Sequence, residues 1–128
     1  MIKTEVCVIG AGPAGLAAAI EAARHGVKVV VLDENHLAGG QLFKQIHKFF
    51  GSKSHRAGVR GIEIGESMLQ EAKNLGVEFH LRTVAYGLFE DNVIGINKID
   101  ERKNGLIQAK KIILATGATE NALTFPGW

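Results

Sequence analysis

The chain has 128 residues and a mass of 13.7 kDa, which is the size of one domain. A hydrophobic content of 46% with 22% charged residues indicates a soluble globule and excludes wholesale disorder. A net charge of +2 argues against a nucleic-acid partner, and no apolar run approaches the ~20 residues of a membrane span. The single cysteine excludes an internal disulfide and a CxxC pair. The amino terminus has no signal-peptide pattern, so we expect a cytoplasmic protein.

The first three predicted elements are strand, helix and strand. Residues 3–9 are β-branched and apolar and stop at a glycine, which predicts a buried strand. An alanine-rich helix is predicted over residues 13–25, because Pro13 suits a first turn and Gly26 suits a helix end. Residues 27–32 form a second apolar strand, expected to be buried on both faces.

The middle of the chain changes character twice. Residues 35–60 are irregular and basic, with no reliable periodicity. A second helix is predicted from about residue 62 to residue 75, where apolar side chains recur on one face. Gly76 and the strand predicted over residues 77–81 repeat the junction at Gly26.

The last third predicts β-structure. Residues 83–109 have short β-prone stretches between polar breaks, which indicates a three-stranded antiparallel meander. Residues 110–114 predict another strand buried on both faces, and residues 119–128 predict no element. The alternation of strands and helices implies parallel pairing with right-handed crossovers. The fold class is therefore α/β, a Rossmann-like three-layer domain over residues 1–128 with the meander as a crossover.

A GxGxxG pattern, Gly10–Gly15, lies between the first strand and the first helix. Gly10 permits a tight turn, Gly12 leaves room for a pyrophosphate, and Gly15 lets helix and strand approach closely. The helix start attracts phosphate through its N–H groups and partial positive charge. The placement predicts a dinucleotide-binding loop.

An acidic residue follows the second strand at the spacing such loops require. Asp33 lies 33 − 10 = 23 residues after Gly10, close to the ~20 residues expected for an acid that binds ribose hydroxyls. A carboxylate there repels a 2′-phosphate, which disfavours NADP. Glu34 is the neighbouring candidate, but strand alternation should point it away from Asp33, as a solvated turn residue.

Further motifs favour a flavin over a nicotinamide cofactor. Gly39-Gly40-Gln41-Leu42 follows the second strand, and Ala115-Thr116-Gly117 ends the last one. With the loop, Asp33 and the meander, they resemble the FAD-binding half of the pyridine nucleotide–disulfide oxidoreductase superfamily over essentially the whole chain. The Gly-Gly-Gln-Leu segment is similar to thioredoxin reductases. The tail over residues 115–128 is more similar to flavoprotein subunits of amine- and opine-oxidising dehydrogenases.

The resemblance implies a role for each part of the pattern. The glycine loop and the turn at Pro13 would hold the pyrophosphate, and Asp33 the adenosine ribose. Gly40 and Gln41 would run toward the ribityl chain, while the backbone near Val84 would touch adenine. The implied cofactor contacts are Gly10, Gly12, Pro13, Ala14, Gly15, Asp33, Glu34, Gly40, Gln41, Val84, Ala115, Thr116 and Gly117.

Two departures from the family pattern limit the activity. No cysteine pair is present, and Cys7 is expected to be a core side chain, so disulfide reduction within this chain is excluded. The family continues into a nicotinamide-binding domain near the position of Trp128. We therefore expect an incomplete catalyst that needs a missing domain or a second subunit, with homo-oligomerisation open. The alternatives are a stand-alone NAD(H)-binding module and an inert relic.

The basic segment has two interpretations. No Asp or Glu occurs from Asn35 to Ile62, and its cations are Lys44, Lys48, Lys53, Arg56 and Arg60. The segment is either an electropositive loop near phosphates or an acidic substrate, or a solvated loop without a specific role. No catalytic side chain and no metal ligand are predicted.

Overall fold

A computed structural model describes residues 1–119 and 121–127 of the chain. It contains one six-stranded sheet in the order β3-β2-β1-β6-β5-β4 and two α-helices, which confirms the predicted α/β class. The strands are β1 Ile2–Ile9, β2 Val29–Leu32, β3 Glu78–His80, β4 Thr83–Phe89, β5 Val93–Lys98 and β6 Lys103–Leu114, and the helices are α1 Pro13–Arg24 and α2 Gly61–Asn74. Strands β3, β2, β1 and β6 pair in parallel, whereas β5 and β4 are antiparallel.

The helix boundaries follow from the residues that punctuate them. Helix α1 begins at Pro13, with Gly12 as its N-cap. Beyond its end, Gly26 has a φ of +77°, and Gly76 after α2 has a φ of +80°. Both values lie in the left-handed region that favours glycine, which confirms the predicted helix ends at these two junctions.

The parallel strands separate two apolar cores. On one face, α1 and α2 cover a cluster that includes Val8, Val29 and Val31. On the other face, Cys7 and Val30 pack with residues of β5 and β6. All four residues of β2 are buried, as the sequence predicted. No helix in the described part of the chain is long and apolar enough to cross a membrane.

Strand β6 corrects one sequence prediction. The third meander strand and the predicted strand 110–114 are a single strand of 12 residues. Its first half pairs with β5 up to Gln108, and its second half pairs with β1 from Ile107 onward. Burial of residues 110–114 on both faces is wrong, because Leu114 is 63% exposed. Beyond Gln108 this strand pairs with another strand on one side only among the described residues.

The antiparallel half of the sheet curls over the parallel half. Ile94 and Ile96 of β5 pack against Val30 and the other buried residues of that face. The curl brings the start of β4 to the end of β2, where Thr83 N–H donates to the Asp33 carbonyl oxygen at 2.9 Å. The three layers are therefore helices, parallel strands and the meander, and the meander closes one side of the site described below.

The basic segment is irregular, as predicted. It contains two short 3₁₀ helices, Gly40–Lys44 and Lys53–His55, and one isolated bridge between Lys48 and Arg60. Phe50 is 95% exposed. The tail has no helix or strand over residues 115–119 and 121–127, and Glu120 and Trp128 lie outside the described residues.

Candidate functional site

The candidate site is a groove at the carboxyl ends of β1, β2 and β6, where parallel α/β sheets bind ligands. It consists of two adjoining cavities of about 210 Å³ and about 430 Å³. Five residues border both cavities, namely Gly10, Asp33, Glu34, Asn35 and Thr116. Every predicted site residue except Gly15 lines one or both of them: Gly10, Gly12, Pro13, Ala14, Asp33, Glu34, Gly40, Gln41, Val84, Ala115, Thr116 and Gly117.

Gly10 and Gly15 shape the loop by allowing close backbone packing. Gly10 has a φ of +107°, and a β-carbon on it would lie 2.7 Å from the Ala115 carbonyl carbon. A β-carbon on Gly15 would lie 2.9 Å from the Gly10 carbonyl carbon and closer still to its oxygen. Gly15 is buried, so its predicted contribution is the close approach of α1 to β1.

Gly12 differs from both of its partners. A β-carbon on Gly12 would meet nothing within 4 Å, and its φ of −72° suits any residue. Packing within the described residues therefore gives no reason for glycine here. Helix α1 also starts without a side-chain cap and without an acidic residue in its first turn. Its first N–H groups are thus available to an anion beside Gly12.

The Gly39-Gly40 pair packs directly against that loop. Gly39 N–H donates to the Ala11 carbonyl oxygen at 2.7 Å. Both glycines have positive φ, +125° and +53°, and a β-carbon on Gly40 would lie 2.9 Å from the Gly12 α-carbon. A side chain at Gly40 would therefore fill the space beside Gly12.

The Asp33 carboxylate connects the glycine loop to the segment that follows β2. Its Oδ2 accepts from Ala11 N–H at 2.7 Å. Its Oδ1 accepts from the backbone N–H and the side-chain Nδ2 of Asn35, at 2.8 Å and 2.9 Å. These three bonds leave one lone pair, on Oδ2, for a ribose hydroxyl, because a carboxylate has about four acceptor positions.

Glu34 borders the same cavities as Asp33, contrary to the expectation from strand alternation. That expectation required the strand to continue, but β2 ends at Leu32. Glu34 is exposed, and no described residue hydrogen-bonds to its side chain. It is therefore a second carboxylate available to a ligand at this end of the groove.

Asn35, His36 and Lys44 are among the polar lining residues that the sequence did not assign to the site. Asn35 donates two hydrogen bonds to the Asp33 carboxylate, while His36 and Lys44 add ionisable groups to the larger cavity. The acid-free composition of this segment was the available signal for Lys44. Nothing in the sequence distinguished Lys44 from the other cations of the basic segment, because the segment has no periodicity.

Cys7 lies in the core, as predicted. Its side chain is fully buried, and this burial raises the pKa of the thiol to about 12. A protonated, inaccessible thiol cannot attack a disulfide. Among the described residues, no three His, Cys, Asp or Glu side chains cluster in a way that could hold a metal ion.

The described residues fit a dinucleotide. The opening beside Gly12, the uncapped helix start and the side-chain-free backbone at Gly40 leave room for a pyrophosphate. The two acidic residues lie where the smaller cavity meets the larger one, and Val84 lines the smaller cavity.

Comparisons with known proteins agree with this geometry. Residues 4–128 match the family described as pyridine nucleotide-disulphide oxidoreductase. An opine oxidase subunit of Agrobacterium tumefaciens (strain Ach5) is 31% identical over 97% of this chain and 26% of its own length. The alpha subunit of sarcosine oxidase from Rhizobium meliloti (strain 1021) is 33% identical over 96% of this chain and 13% of its own length. This chain thus spans about a quarter or less of these relatives.

Solved structures have the same fold. L-proline dehydrogenase from P. horikoshii superposes with a TM-score of 0.82 at 26% identity, over 95% of this chain and 24% of that chain. Thioredoxin reductase of Lactococcus lactis gives a TM-score of 0.74 at 30% identity, over 97% of this chain and 39% of that chain. The chain therefore belongs to the pyridine nucleotide-disulphide oxidoreductase family as an FAD-binding oxidoreductase domain, which confirms the resemblance and the cofactor predicted from the sequence.

Proposed function

We propose that residues 1–128 form a single domain that holds the adenosine and pyrophosphate half of an FAD site within a larger oxidoreductase. On this proposal the domain is incomplete as a catalyst by itself. The observation that carries the proposal is the open space beside Gly12. Packing does not require glycine at this position, and the start of α1 next to it has no side-chain cap. FAD supplies hydride or electron transfer when it is bound.

Each part of the groove has a proposed task. The N–H groups of Ala14 and Gly15 bind the pyrophosphate, which lies over Gly12. Asp33 fixes the loop through Ala11 and offers its remaining lone pair to the ribose, while Glu34 is available for a second hydroxyl. Backbone near Val84 contacts the adenine.

The remaining line of contacts runs toward the flavin. Gly40 and Gln41 would follow the ribityl chain, since both line the larger cavity next to Gly12. Ala115, Thr116 and Gly117 border the same cavity from the end of β6 and would close over the cofactor.

The end of β6, which pairs on one side only, favours further protein packed on this edge of the sheet. Leu114 is 63% exposed on a strand that lies inside the sheet, and residues 109–114 pair only with β1 among the described residues. Further protein packed on this edge, from another domain or a second subunit, would bury Leu114. Association of two copies would bury it equally well. A cytoplasmic location stays a prediction.

The proposed reaction class is oxidation of an amine rather than reduction of a disulfide. Opines, sarcosine and L-proline, the compounds in the names of three similar proteins, are amino acids with a substituted nitrogen. Cys7 is buried, so this chain itself supplies no accessible thiol for the chemistry named for thioredoxin reductase.

Calorimetric titration of the purified chain with FAD, ADP, NAD and NADP tests the proposed cofactor. We expect FAD and ADP to bind and NADP to bind worst, because two carboxylates border the ribose end of the groove. Binding of NAD with no response to FAD or ADP would support an NAD(H) module and refute the flavin site.

A further inference from the structure

Lys44 stands out among the side chains that line the larger cavity. The ionisable residues of that lining are Asp33, Glu34, His36 and Lys44. Among these described residues, Lys44 provides the one permanent positive charge. The side chain is exposed, and its ammonium has no hydrogen bond or ion pair with any described residue. A cation at a cavity that pairs with none of the described acidic residues is suited to an anionic ligand.

The short helix that carries Lys44 is fixed in place. Gly39, just before this Gly40–Lys44 helix, donates to Ala11 of the glycine loop at 2.7 Å. Leu42, in its centre, is only 5% exposed and donates to the Gly39 carbonyl oxygen at 3.1 Å. The backbone from which the Lys44 side chain extends is therefore anchored to the loop and to the core.

The spacing within this helix directs two side chains to one face. In a 3₁₀ helix, side chains at i and i+3 eclipse each other, which places Gln41 and Lys44 together. Both line the larger cavity, as does Gly12. The face that carries Lys44 thus borders the same space that is open beside Gly12.

The other cations of the basic segment serve as an internal comparison. Lys48, Lys53, Arg56 and Arg60 line neither cavity of the groove. Lys44 is therefore at the groove, whereas the other four cations of the segment lie outside it.

We propose that Lys44 is an additional ligand of the pyrophosphate, supplying a full positive charge beside the N–H groups of α1. This inference rests on the proposed FAD site and adds to it a side chain outside the GxGxxG loop. Lys44 adds affinity for the diphosphate and does not contribute to recognition of the adenosine. A charge-assisted contact of this kind is expected to change affinity by about three- to tenfold.

The test compares Lys44→Met with the matched control Lys48→Met, which removes a lysine of the same segment outside the groove. Calorimetric titrations with adenosine, ADP and FAD are run at pH 8, at low and at high salt. We expect Lys44→Met to weaken ADP and FAD by about three- to tenfold at low salt and by less at high salt. Adenosine binding should stay unchanged, and Lys48→Met should bind all three ligands like the wild type.

The outcomes separate this inference from the proposed function. If the wild-type chain binds FAD and ADP, and Lys44→Met binds ADP equally well, the assignment of Lys44 is wrong while the FAD site stands. Weaker FAD binding with unchanged ADP binding would also overturn it, because the lysine would then act beyond the pyrophosphate. Equal losses of affinity in Lys44→Met and Lys48→Met would overturn the assignment, because the effect would then come from the overall charge of the protein. A wild-type chain that binds no adenine ligand would refute the proposed function itself.

Discussion

Alanine substitutions at Gly15 and Gly12 should have different effects. Gly15→Ala should destabilise the fold, whereas Gly12→Ala should weaken ligand binding. Gly15→Ala places a β-carbon 2.9 Å from the Gly10 carbonyl carbon, 0.5 Å short of the 3.4 Å at which ordinary contact begins, and closer still to the oxygen. Both partners are backbone, so α1 must move away from the loop. Overpacking of this kind costs about 1–3 kcal/mol, or a fall in Tm of roughly 4–12 °C.

Gly12→Ala should leave the free protein almost unchanged. The new methyl group meets nothing within 4 Å, and the φ of −72° is favourable for alanine. Loss of unfolded-state entropy stabilises by ~0.4–1 kcal/mol, while alanine is a poorer N-cap than glycine by several tenths, so the two effects nearly cancel. The methyl group nevertheless occupies the space proposed for the pyrophosphate. We therefore expect at least a tenfold loss of ADP affinity, about 1.4 kcal/mol.

The assay pairs thermal unfolding with ADP calorimetry on both variants. Gly105→Ala is the matched control, because its β-carbon would make ordinary 3.4 Å and 3.5 Å contacts with Ile96 away from the groove. Undiminished ADP binding by Gly12→Ala would refute the reasoning about Gly12. A Gly15→Ala variant as stable as the wild type would refute the packing argument.

Two further predictions concern the acidic residues and the buried thiol. Asp33→Asn should cost ~1.5–3 kcal/mol of unfolding free energy, since one amide oxygen replaces a carboxylate that accepts three hydrogen bonds, whereas Glu34→Gln should change it by under ~0.5 kcal/mol. Equal melting temperatures for the two variants would contradict the anchoring role of Asp33. Cys7 should resist iodoacetamide at pH 8 until the chain is unfolded, because burial raises the pKa of the thiol to about 12. That folded pKa exceeds the unfolded one, so the contribution of Cys7 to stability is present below pH ~8.5 and declines as pH rises toward 12. Rapid labelling of the folded chain would contradict the burial.

The parts of the site that sequence predicted are those with strong local constraints. Gly10 has a positive φ, and Gly15 meets backbone, so each position excludes other residues for a physical reason that a motif captures. Asp33 follows directly from the end of a buried strand. The cavities bring these residues to one groove, as the spacing indicated.

The parts that sequence missed depend on where strands end and on long-range pairing. Alternation was extended to Glu34, two residues beyond Leu32, although the predicted strand and β2 both end at that residue. The exposure of Leu114 reflects the absence, among the described residues, of a second paired strand beside residues 109–114, which an apolar run does not reveal. Asn35 and Lys44 are positioned by contacts that the irregular segment after β2 makes with the glycine loop and with the core. Such contacts leave no periodic signal.

The most direct measurement of the central claim is an amide NMR titration of the chain with ADP. We predict that the N–H signals of Gly12, Ala14, Gly15 and Asn35 shift as ADP is added. Gln108 and Lys110 line a separate cavity and should not respond. Shifts confined to that separate cavity, or no shift at the start of α1, would contradict a dinucleotide site at the glycine loop.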